Sequence, residues 1–216
     1  MLSILRKARL KDKEMRILML GLDNAGKTTI VKKIMNEDVN SVSPTLGFII
    51  KTIEYDGYKL NIWDVGGQKT LRTYWKNYFE KTDTLIWVVD ATDRERIDDC
   101  RRELEGLLQE EVRGLRQGEA HSALTHAAAH GSELARVQEQ ERRVGIHDRR
   151  RGSTGMRGAT GKEGGCQANN AVQGLGLDAI KTHKWTIMAC SAMTGTNLHE
   201  GLRWVVQDAK SRLFLY

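Results

Sequence analysis

The feature that most constrains this chain is a glycine-rich loop, Gly21–Thr28, which reads Gly-Leu-Asp-Asn-Ala-Gly-Lys-Thr. It fits the pattern G-x-x-x-x-G-K-[ST]. A short apolar run, Met15–Leu20, precedes the loop, and a stretch with helical spacing, Thr29–Met35, follows it. Strand, glycine loop and helix is the context that confirms a phosphate-binding P-loop. The chain is therefore expected to form an α/β domain that binds phosphate groups.

The residue types of the loop indicate how a phosphate is held. Gly21 and Gly26 let the backbone curl, so that successive N–H groups face one anion at a helix N-terminus. Lys27 supplies a positive charge, and the Thr28 hydroxyl is a ligand for Mg²⁺. The residues predicted to contact the nucleotide here are Gly21, Leu22, Asp23, Asn24, Ala25, Gly26, Lys27, Thr28 and Thr29.

Composition limits the class of protein. The 216 residues suffice for one α/β domain, and the absence of a long apolar run predicts no transmembrane helix. Ten Lys and Arg residues against six Asp and Glu residues lie between positions 112 and 168, which accounts for most of the net charge of +6. The remainder is nearly neutral, so no nucleic-acid partner is expected. Three scattered cysteines without a CxxC motif indicate a reducing compartment rather than disulfides or a zinc site.

A β-hairpin is predicted after the first helix. Phe48–Tyr55 and Tyr58–Asp64 are strand-like runs on either side of Asp56-Gly57, a dipeptide typical of two-residue turns. Ligands of doubly wound sheets bind beyond the carboxyl ends of the strands. The sequence that follows the second run is therefore expected to lie beside the P-loop.

Four polar or small residues near this hairpin complete the predicted phosphate site. Asp64 is expected to hold Mg²⁺, usually through water, and Thr45 to close on the same ion. Gly67 has no side chain that would block its N–H from a γ-phosphate. Gln68 is uncharged and both donates and accepts hydrogen bonds, so we assign it the catalytic role of orienting a water for in-line attack.

Six motifs resemble the Arf family of small GTPases: GLDNAGKTT (21–29), SPTLGF (43–48), LNIWDVGGQKTLR (60–72), YWKNYFE (74–80), WVVDATDR (87–94) and CSAMTG (190–195). The match covers about 1–111 and 169–216. The resemblance implies GTP and GDP as ligands, Mg²⁺ as cofactor and hydrolysis of GTP. It also implies a six-stranded, mostly parallel sheet with helices on both faces, and an interswitch hairpin that slides on GTP binding and expels an N-terminal helix.

The resemblance assigns further residues. Phe48, Trp63 and Tyr78 match the aromatic triad that Arf-like proteins present to effectors. From the residues alone ordinary core packing is the favoured explanation, and the resemblance reverses that preference. Ser191 and Ala192 resemble the loop whose backbone N–H contacts guanine O6; an ordinary strand-to-helix turn is the alternative. The implied partners are exchange factors, GTPase-activating proteins and effectors, among them carriers of lipidated proteins and tubulin-folding cofactors. A monomer is expected.

Other elements follow from hydrophobic spacing. Strands are predicted at 84–90 and 185–190, an amphipathic helix from Asp93 to Glu111, and a closing helix from Asn197 to Leu213. Residues 1–14 resemble a basic amphipathic helix that makes weak membrane contact; a solvated terminus is the alternative. The GTPase domain is expected to occupy 15–216.

The stretch 112–168 does not match the family. It contains no Phe, Tyr, Trp or Pro, and its composition predicts an irregular, disordered insert. Ala120–Gln140 has helix propensity. A retained intron or a frameshifted exon would explain the abrupt change. The family has here a strand that ends in Asn-Lys-x-Asp, a motif absent from this chain. Its loss predicts a gap between two inner strands.

The missing motif leaves two functions open. The first is a GTP-hydrolysing switch with weakened guanine preference, because charged hydrogen bonds to the base are worth about 1.5–3 kcal/mol each. The second is a non-catalytic binding module that keeps the aromatic surface but holds guanine nucleotide poorly. A P-loop kinase is disfavoured, because Asp-x-x-Gly-Gln after an upstream threonine is typical of GTPases.

Overall fold

The computed structural model describes residues 12–79, 82–116, 124–130, 174–180 and 184–213. They form a six-stranded sheet in the order β2-β3-β1-β4-β5-β6, parallel except for the pair β2–β3. The strands are β1 Glu14–Leu20, β2 Phe48–Tyr55, β3 Tyr58–Val65, β4 Thr84–Asp90, β5 Leu124–His130 and β6 Ile187–Cys190. The helices are α1 Lys27–Ile34, α2 Lys69–Arg72, α3 Lys76–Phe79, α4 Ile97–Arg116 and α5 Leu198–Leu213. The predicted mostly parallel α/β sheet is confirmed.

The central strands form because their side chains are apolar on both faces, as expected of inner parallel strands. Met15, Ile17 and Met19 of β1 pack into a core with α1 and α5. Leu18 and Leu20, which point the opposite way, pack into a second core with β4 and α4. The sheet is therefore covered on both faces, and its carboxyl edge is left to carry the loops.

The predicted hairpin is confirmed. β2 and β3 pair antiparallel from Tyr55↔Tyr58 to Phe48↔Val65. The two turn residues have positive φ angles, 50° at Asp56 and 73° at Gly57, which is the backbone that a two-residue hairpin turn requires. Because β3 runs parallel to β1, its end at Val65 lies level with the start of the P-loop.

The helix after β4 begins later than the sequence predicts. It starts at Ile97 rather than Asp93, and it continues to Arg116. The Asp93 carboxylate accepts a hydrogen bond from the backbone N–H of Arg96 at 3.2 Å. Asp93 therefore closes the turn that precedes the helix, a local bond that aspartate often makes outside helices.

The predicted gap between the inner strands is wrong. β5 fills it, pairing parallel with β4 from Thr84↔Leu124 to Asp90↔His130 and with β6 from Ala127↔Ile187 to His130↔Cys190. The helix propensity noted for Ala120–Gln140 is not realised in these seven residues, which form a strand. The edges of β4 and β6 would otherwise leave backbone N–H and C=O groups unpaired. Their pairing outweighs the modest helix preference of an alanine-rich stretch.

Some predictions lie outside the described residues. The N-terminal helix was placed at 1–14, of which the structure describes residues 12–14, and Glu14 is already part of β1. Within 112–168 the described residues are the end of α4 and β5. Among the described helices, none has the length and apolar character needed to cross a membrane.

Candidate nucleotide-binding site

The P-loop adopts the backbone that its glycines allow. Gly21 has φ 145°, and a Cβ placed there would lie 2.2 Å from the carbonyl oxygen of Val88 in β4. Gly26, with φ 90°, is the N-cap of α1 and makes no side-chain capping bond. The first N–H groups of a helix have no partner within the helix. With no capping side chain, those of α1 can face an anion.

Lys27 is a buried cation at the centre of the loop, with 5% of its surface exposed. Its Nζ donates to the carbonyl oxygens of Gly21 at 2.9 Å and Leu22 at 2.7 Å. Burial lowers the pKa of Lys27 to about 8, partly opposed by the carboxylates of Asp64 and Asp23. An ammonium in this position is stabilised by any anion that enters the loop.

Three oxygen-bearing side chains converge next to Lys27. The Thr28 hydroxyl donates to Asp64 Oδ2 at 2.6 Å and lies 2.8 Å from the Thr45 hydroxyl. Thr45 Oγ1 is 3.5 Å from the same carboxylate oxygen. Burial raises the pKa of Asp64, although the hydrogen bond from Thr28 and the charge of Lys27 act against it. Asp64 Oδ1 is buried and has no hydrogen-bond partner among the described residues.

These residues fit a Mg²⁺ ion. Hydroxyl and carboxylate oxygens are the donors that Mg²⁺ takes, and a cation would neutralise the buried carboxylate and satisfy its second oxygen. Thr28, Thr45 and Asp64 are the residues that would hold it. Bound there, the ion would neutralise charge on the phosphate oxygens.

The loop after β3 lies against the P-loop. A Cβ on Gly67 would come within 2.3 Å of both the Asp23 nitrogen and the Leu22 carbonyl carbon. Gly66 donates its N–H to the carbonyl oxygen of Gly47 at 2.8 Å, which connects this loop to the one that carries Thr45. Gln68 Oε1 is buried without a partner among the described residues. Only a residue without a side chain allows this approach at Gly67.

A pocket of about 390 Å³ opens between these loops. This volume is within the usual range for small-molecule sites, about 300–1,000 Å³. Predicted residues that line it are Asp23, Asn24, Gly26, Lys27, Thr28, Thr29, Thr45, Gly67 and Gln68. Gly21, Leu22, Ala25 and Asp64 are buried and are not part of this lining. The sequence reasoning missed four lining residues, Val42, Ser43, Pro44 and Gly66, whose signal was their position beside Thr45 and Gly67.

Ser191 and Ala192 lie elsewhere. They follow β6, are buried and do not line the pocket. The Ser191 N–H donates to the carbonyl oxygen of Thr196 at 3.1 Å, and its hydroxyl accepts from the N–H of Thr194 at 3.2 Å. The structure thus forms a compact turn at this position, and the guanine contact stays a prediction.

The three aromatic residues form one cluster on the hairpin and α3. The Phe48 ring stacks on Trp63 with centroids 5.3 Å apart, and Tyr78 is 5.7 Å from Phe48. The Arg16 guanidinium lies 4.9 Å from the centroid of the Trp63 ring. Phe48 is 47% exposed, so the cluster is accessible at one side. Its geometry suits a binding surface, and its role stays a prediction.

Comparison with known proteins identifies the relatives. The profile of the ADP-ribosylation factor family matches residues 1–117 and 162–209. The chain belongs to the ADP-ribosylation factor family. It is similar to ADP-ribosylation factor-like protein 2 of Dictyostelium discoideum, 45% identical over 215 residues that cover 100% of this chain and 98% of that protein. The protein of the same name from Arabidopsis thaliana is 46% identical over 216 residues, again covering 100% and 98%.

A solved structure agrees with this assignment. The small GTPase Arl6 BBS3 of Trypanosoma brucei, with the nucleotide analogue GppNp bound, superposes with a TM-score of 0.67 and 25% identity. The alignment covers 92% of this chain and 98% of that one. Members of the family are GTPases that bind GTP and GDP, so the P-loop of this chain belongs to a GTP-binding fold. The family profile skips residues 118–161, which contain β5.

Proposed function

We propose that this chain is a GTP-binding switch that hydrolyses GTP to GDP and engages effectors while GTP is bound. The observation that carries the proposal is the convergence of Thr28, Thr45 and Asp64 beside the buried Lys27. Thr45 comes from the loop before β2, so a ligand that draws on all three side chains would hold that loop closed. Gln68 would then orient the attacking water, and Mg²⁺ held by Thr28, Thr45 and Asp64 would neutralise phosphate charge.

The proposed partners follow from similarity to ADP-ribosylation factor-like protein 2. The cluster of Phe48, Trp63 and Tyr78 would present its exposed edge to carriers of lipidated proteins and to tubulin-folding cofactors of the microtubule pathway. Exchange factors would set the rate of GDP release, and GTPase-activating proteins the rate of hydrolysis. An arginine finger from such a protein would accelerate hydrolysis roughly 10³–10⁵-fold. The N-terminal residues 1–14 would add weak membrane contact to a cytoplasmic monomer.

Titration of the full chain with a fluorescent GTP analogue tests the proposal. We expect tight binding with Mg²⁺ and weaker binding in EDTA. We also expect slow hydrolysis of GTP to GDP and phosphate, which Gln68→Leu abolishes. Asp64→Asn should remove most of the difference between Mg²⁺ and EDTA, because it removes the carboxylate that contacts the Thr28 and Thr45 hydroxyls, the two other groups assigned to the ion. Binding unaffected by EDTA in the wild-type chain would contradict the assigned Mg²⁺ site.

The second candidate is a non-catalytic binding module. Two observations favour it: the sequence has no Asn-Lys-x-Asp, and the pocket lining does not include Ser191 or Ala192. Competition with ATP separates the two candidates. Sub-micromolar, Mg²⁺-dependent GTP binding defeats the binding module. Equal competition by ATP defeats guanine specificity, and no binding of either nucleotide defeats the switch.

A further inference from the structure

One arginine of the loop region after β3 connects three segments that are distant in sequence. Arg72, the last residue of α2, has a side chain that is 13% exposed. Its Nε donates to the carbonyl oxygen of Gly67 at 2.9 Å. Its two other nitrogens donate to Asp23 Oδ1 at 3.2 Å and to Glu103 Oε1 at 3.1 Å. The guanidinium is planar and rigid, so three acceptors bound to it are held at fixed separations.

Asp23 is held from a second side. Arg96 lies in the turn before α4, and its guanidinium is 3.3 Å from Asp23 Oδ1 and donates to the Asp23 carbonyl oxygen at 3.2 Å. Arg96 is in turn bound by the carboxylate of Asp93. Asp23 is a P-loop residue that lines the pocket. Two arginines thus fix the rim of the phosphate site through one carboxylate.

The hydrogen bond from Arg72 to the Gly67 carbonyl also affects the next residue, Gln68. The carbonyl of Gly67 and the N–H of Gln68 belong to the same planar unit. A bond that fixes the carbonyl therefore fixes the direction of the chain into Gln68, the N-cap of α2. The space at Gly67 is also tight, since a Cβ would lie 2.3 Å from the Asp23 nitrogen. Arg72 binds both sides of this contact, Gly67 and Asp23.

We propose that Arg72 is a positioning residue that holds the Gly67–Gln68 peptide against the P-loop in the arrangement that accepts a γ-phosphate. Asp23 is its anchor, and Arg96 keeps that anchor in place. The inference rests on the proposed GTP-binding function. It assigns Arg72 to the discrimination between a triphosphate and a diphosphate, because a diphosphate lacks the group that Gly67 and Gln68 face.

A purely structural ion pair would behave differently. Partly exposed ion pairs contribute little to stability, and they act mainly through charge. The bond to the Gly67 carbonyl needs the guanidinium fork, because a lysine ammonium is a single point charge and does not reach three separated acceptors. Loss of positioning should therefore appear in both Arg72→Gln and Arg72→Lys, whereas a charge effect is restored by lysine.

The test measures three properties of the full chain: affinity for GDP, affinity for a non-hydrolysable GTP analogue, and hydrogen exchange of residues 66–75 without nucleotide. The control is Arg102→Gln, an exposed arginine whose bonds are to Asp98 and Asp99 on its own helix. We expect Arg72→Gln and Arg72→Lys to exchange faster over 66–75. We expect both to lose about tenfold or more of the affinity ratio between the GTP analogue and GDP, a loss that corresponds to one charge-assisted hydrogen bond. GDP affinity should be unchanged.

Each result decides the inference. If the amides of residues 66–75 exchange in Arg72→Gln at the wild-type rate, Arg72 does not hold this segment in place. If they exchange faster but the ratio of GTP-analogue to GDP affinity is unchanged, the positioning role is disproved. Full rescue by lysine would show a charge effect and overturn the proposal. If Arg72→Gln does not fold, Glu103→Gln keeps the arginine and should give the same sign with a smaller effect. Failure of the wild-type chain to bind either nucleotide would defeat the proposed function. The hydrogen-exchange data would still show whether Arg72 holds residues 66–75 in place.

Discussion

The two ends of the candidate nucleotide site are built in different ways. At the phosphate end, Lys27, Thr28, Asp64 and Gly67 come from three segments and are in direct contact or fit closely against one another. At the base end, the described residues are the last residue of β5, His130, and the Ser191–Ala192 turn. Ser191 and Ala192 do not line the pocket of the phosphate end.

The difference shows what a fold and a binding site each require of a sequence. β5 lies in the part that the family profile skips, yet it pairs with both neighbours. Backbone hydrogen bonds in a sheet need no particular side chain, so an alanine-rich stretch can fill the vacancy. Recognition of a base needs particular donors and acceptors at fixed positions. The fold therefore tolerates a replaced strand more easily than guanine specificity does.

Two glycine substitutions, one at each end of the site, should differ most in their effect on GTP affinity. Gly67→Ala places a Cβ against P-loop backbone, which is not free to move, and we expect GTP affinity to fall on the order of 100-fold. Gly195→Ala, in the turn after Ser191, meets only the Lys33 side chain at 3.3 Å but has φ 85°. It should cost about 1–2 kcal/mol of stability and leave GTP affinity unchanged.

Nucleotide titration and thermal unfolding of both variants measure the contrast. The thermal unfolding also separates a binding defect from loss of the folded state in Gly67→Ala. Equal losses of GTP affinity in the two variants would mean that the ends are not independent, and the comparison above would be wrong.

The residues of the phosphate end were largely predictable, because short sequence motifs contain most of them. Glycine spacing gave the P-loop, and Asp64 and Gly67 followed from the rule that strand ends meet at one edge of the sheet. The strand β5 was not predictable. Leu124–His130 has helix propensity and no apolar alternation, and only the unpaired edges of β4 and β6 explain its pairing.

The arginine contacts were also beyond the sequence. Arg72 lies in a short polar helix, and nothing in its neighbours along the chain indicates Asp23 or Glu103 as partners. These contacts depend on how α2, the P-loop and α4 meet in space. Asp93 was predicted to begin the helix after β4. Instead its carboxylate closes the turn before that helix, where it binds both the backbone N–H and the guanidinium of Arg96.

Introducing Asn-Lys-x-Asp after β5 should strengthen base recognition and so test the difference between the two ends of the site. His130 is the last residue of β5, and it pairs with Asp90 of β4 and with Cys190 of β6. Cys190 directly precedes Ser191 in the chain. The combined substitutions His130→Asn, Gly131→Lys and Glu133→Asp write Asn-Lys-x-Asp after this strand. We expect the preference for GTP over ATP to rise roughly 10- to 150-fold, the value of one charged hydrogen bond to the base.

Competition between GTP and ATP for a fluorescent analogue measures this preference. Gly131→Lys alone is the matched control, because it adds the same charge but keeps His130 and Glu133 in place of the asparagine and the aspartate of the motif. It should raise affinity for both nucleotides alike. A wild-type chain that already prefers GTP by orders of magnitude would show that the base end is intact without the motif.

The smallest expected effect is a pH dependence that belongs to the phosphate end. Burial lowers the pKa of Lys27 to about 8 in the free protein, and bound phosphates stabilise the ammonium and raise that pKa. Between the two pKa values, binding therefore takes up a proton. Affinity should be constant below pH 8 and then fall by at most about tenfold per pH unit as pH rises through the window.

Titrations with a fluorescent GDP analogue from pH 7 to pH 9.5 measure the slope, and calorimetry in buffers of different ionisation enthalpy counts the protons. The Ser191–Ala192 turn should contribute no such slope, because its described contacts are made by backbone groups and a hydroxyl. Gly195→Ala should therefore keep the wild-type pH profile. Lys27→Arg, whose guanidinium stays charged over this range, should give a flat profile for whatever affinity remains. A slope that persists in Lys27→Arg would assign the proton to another group and remove Lys27 as the cause.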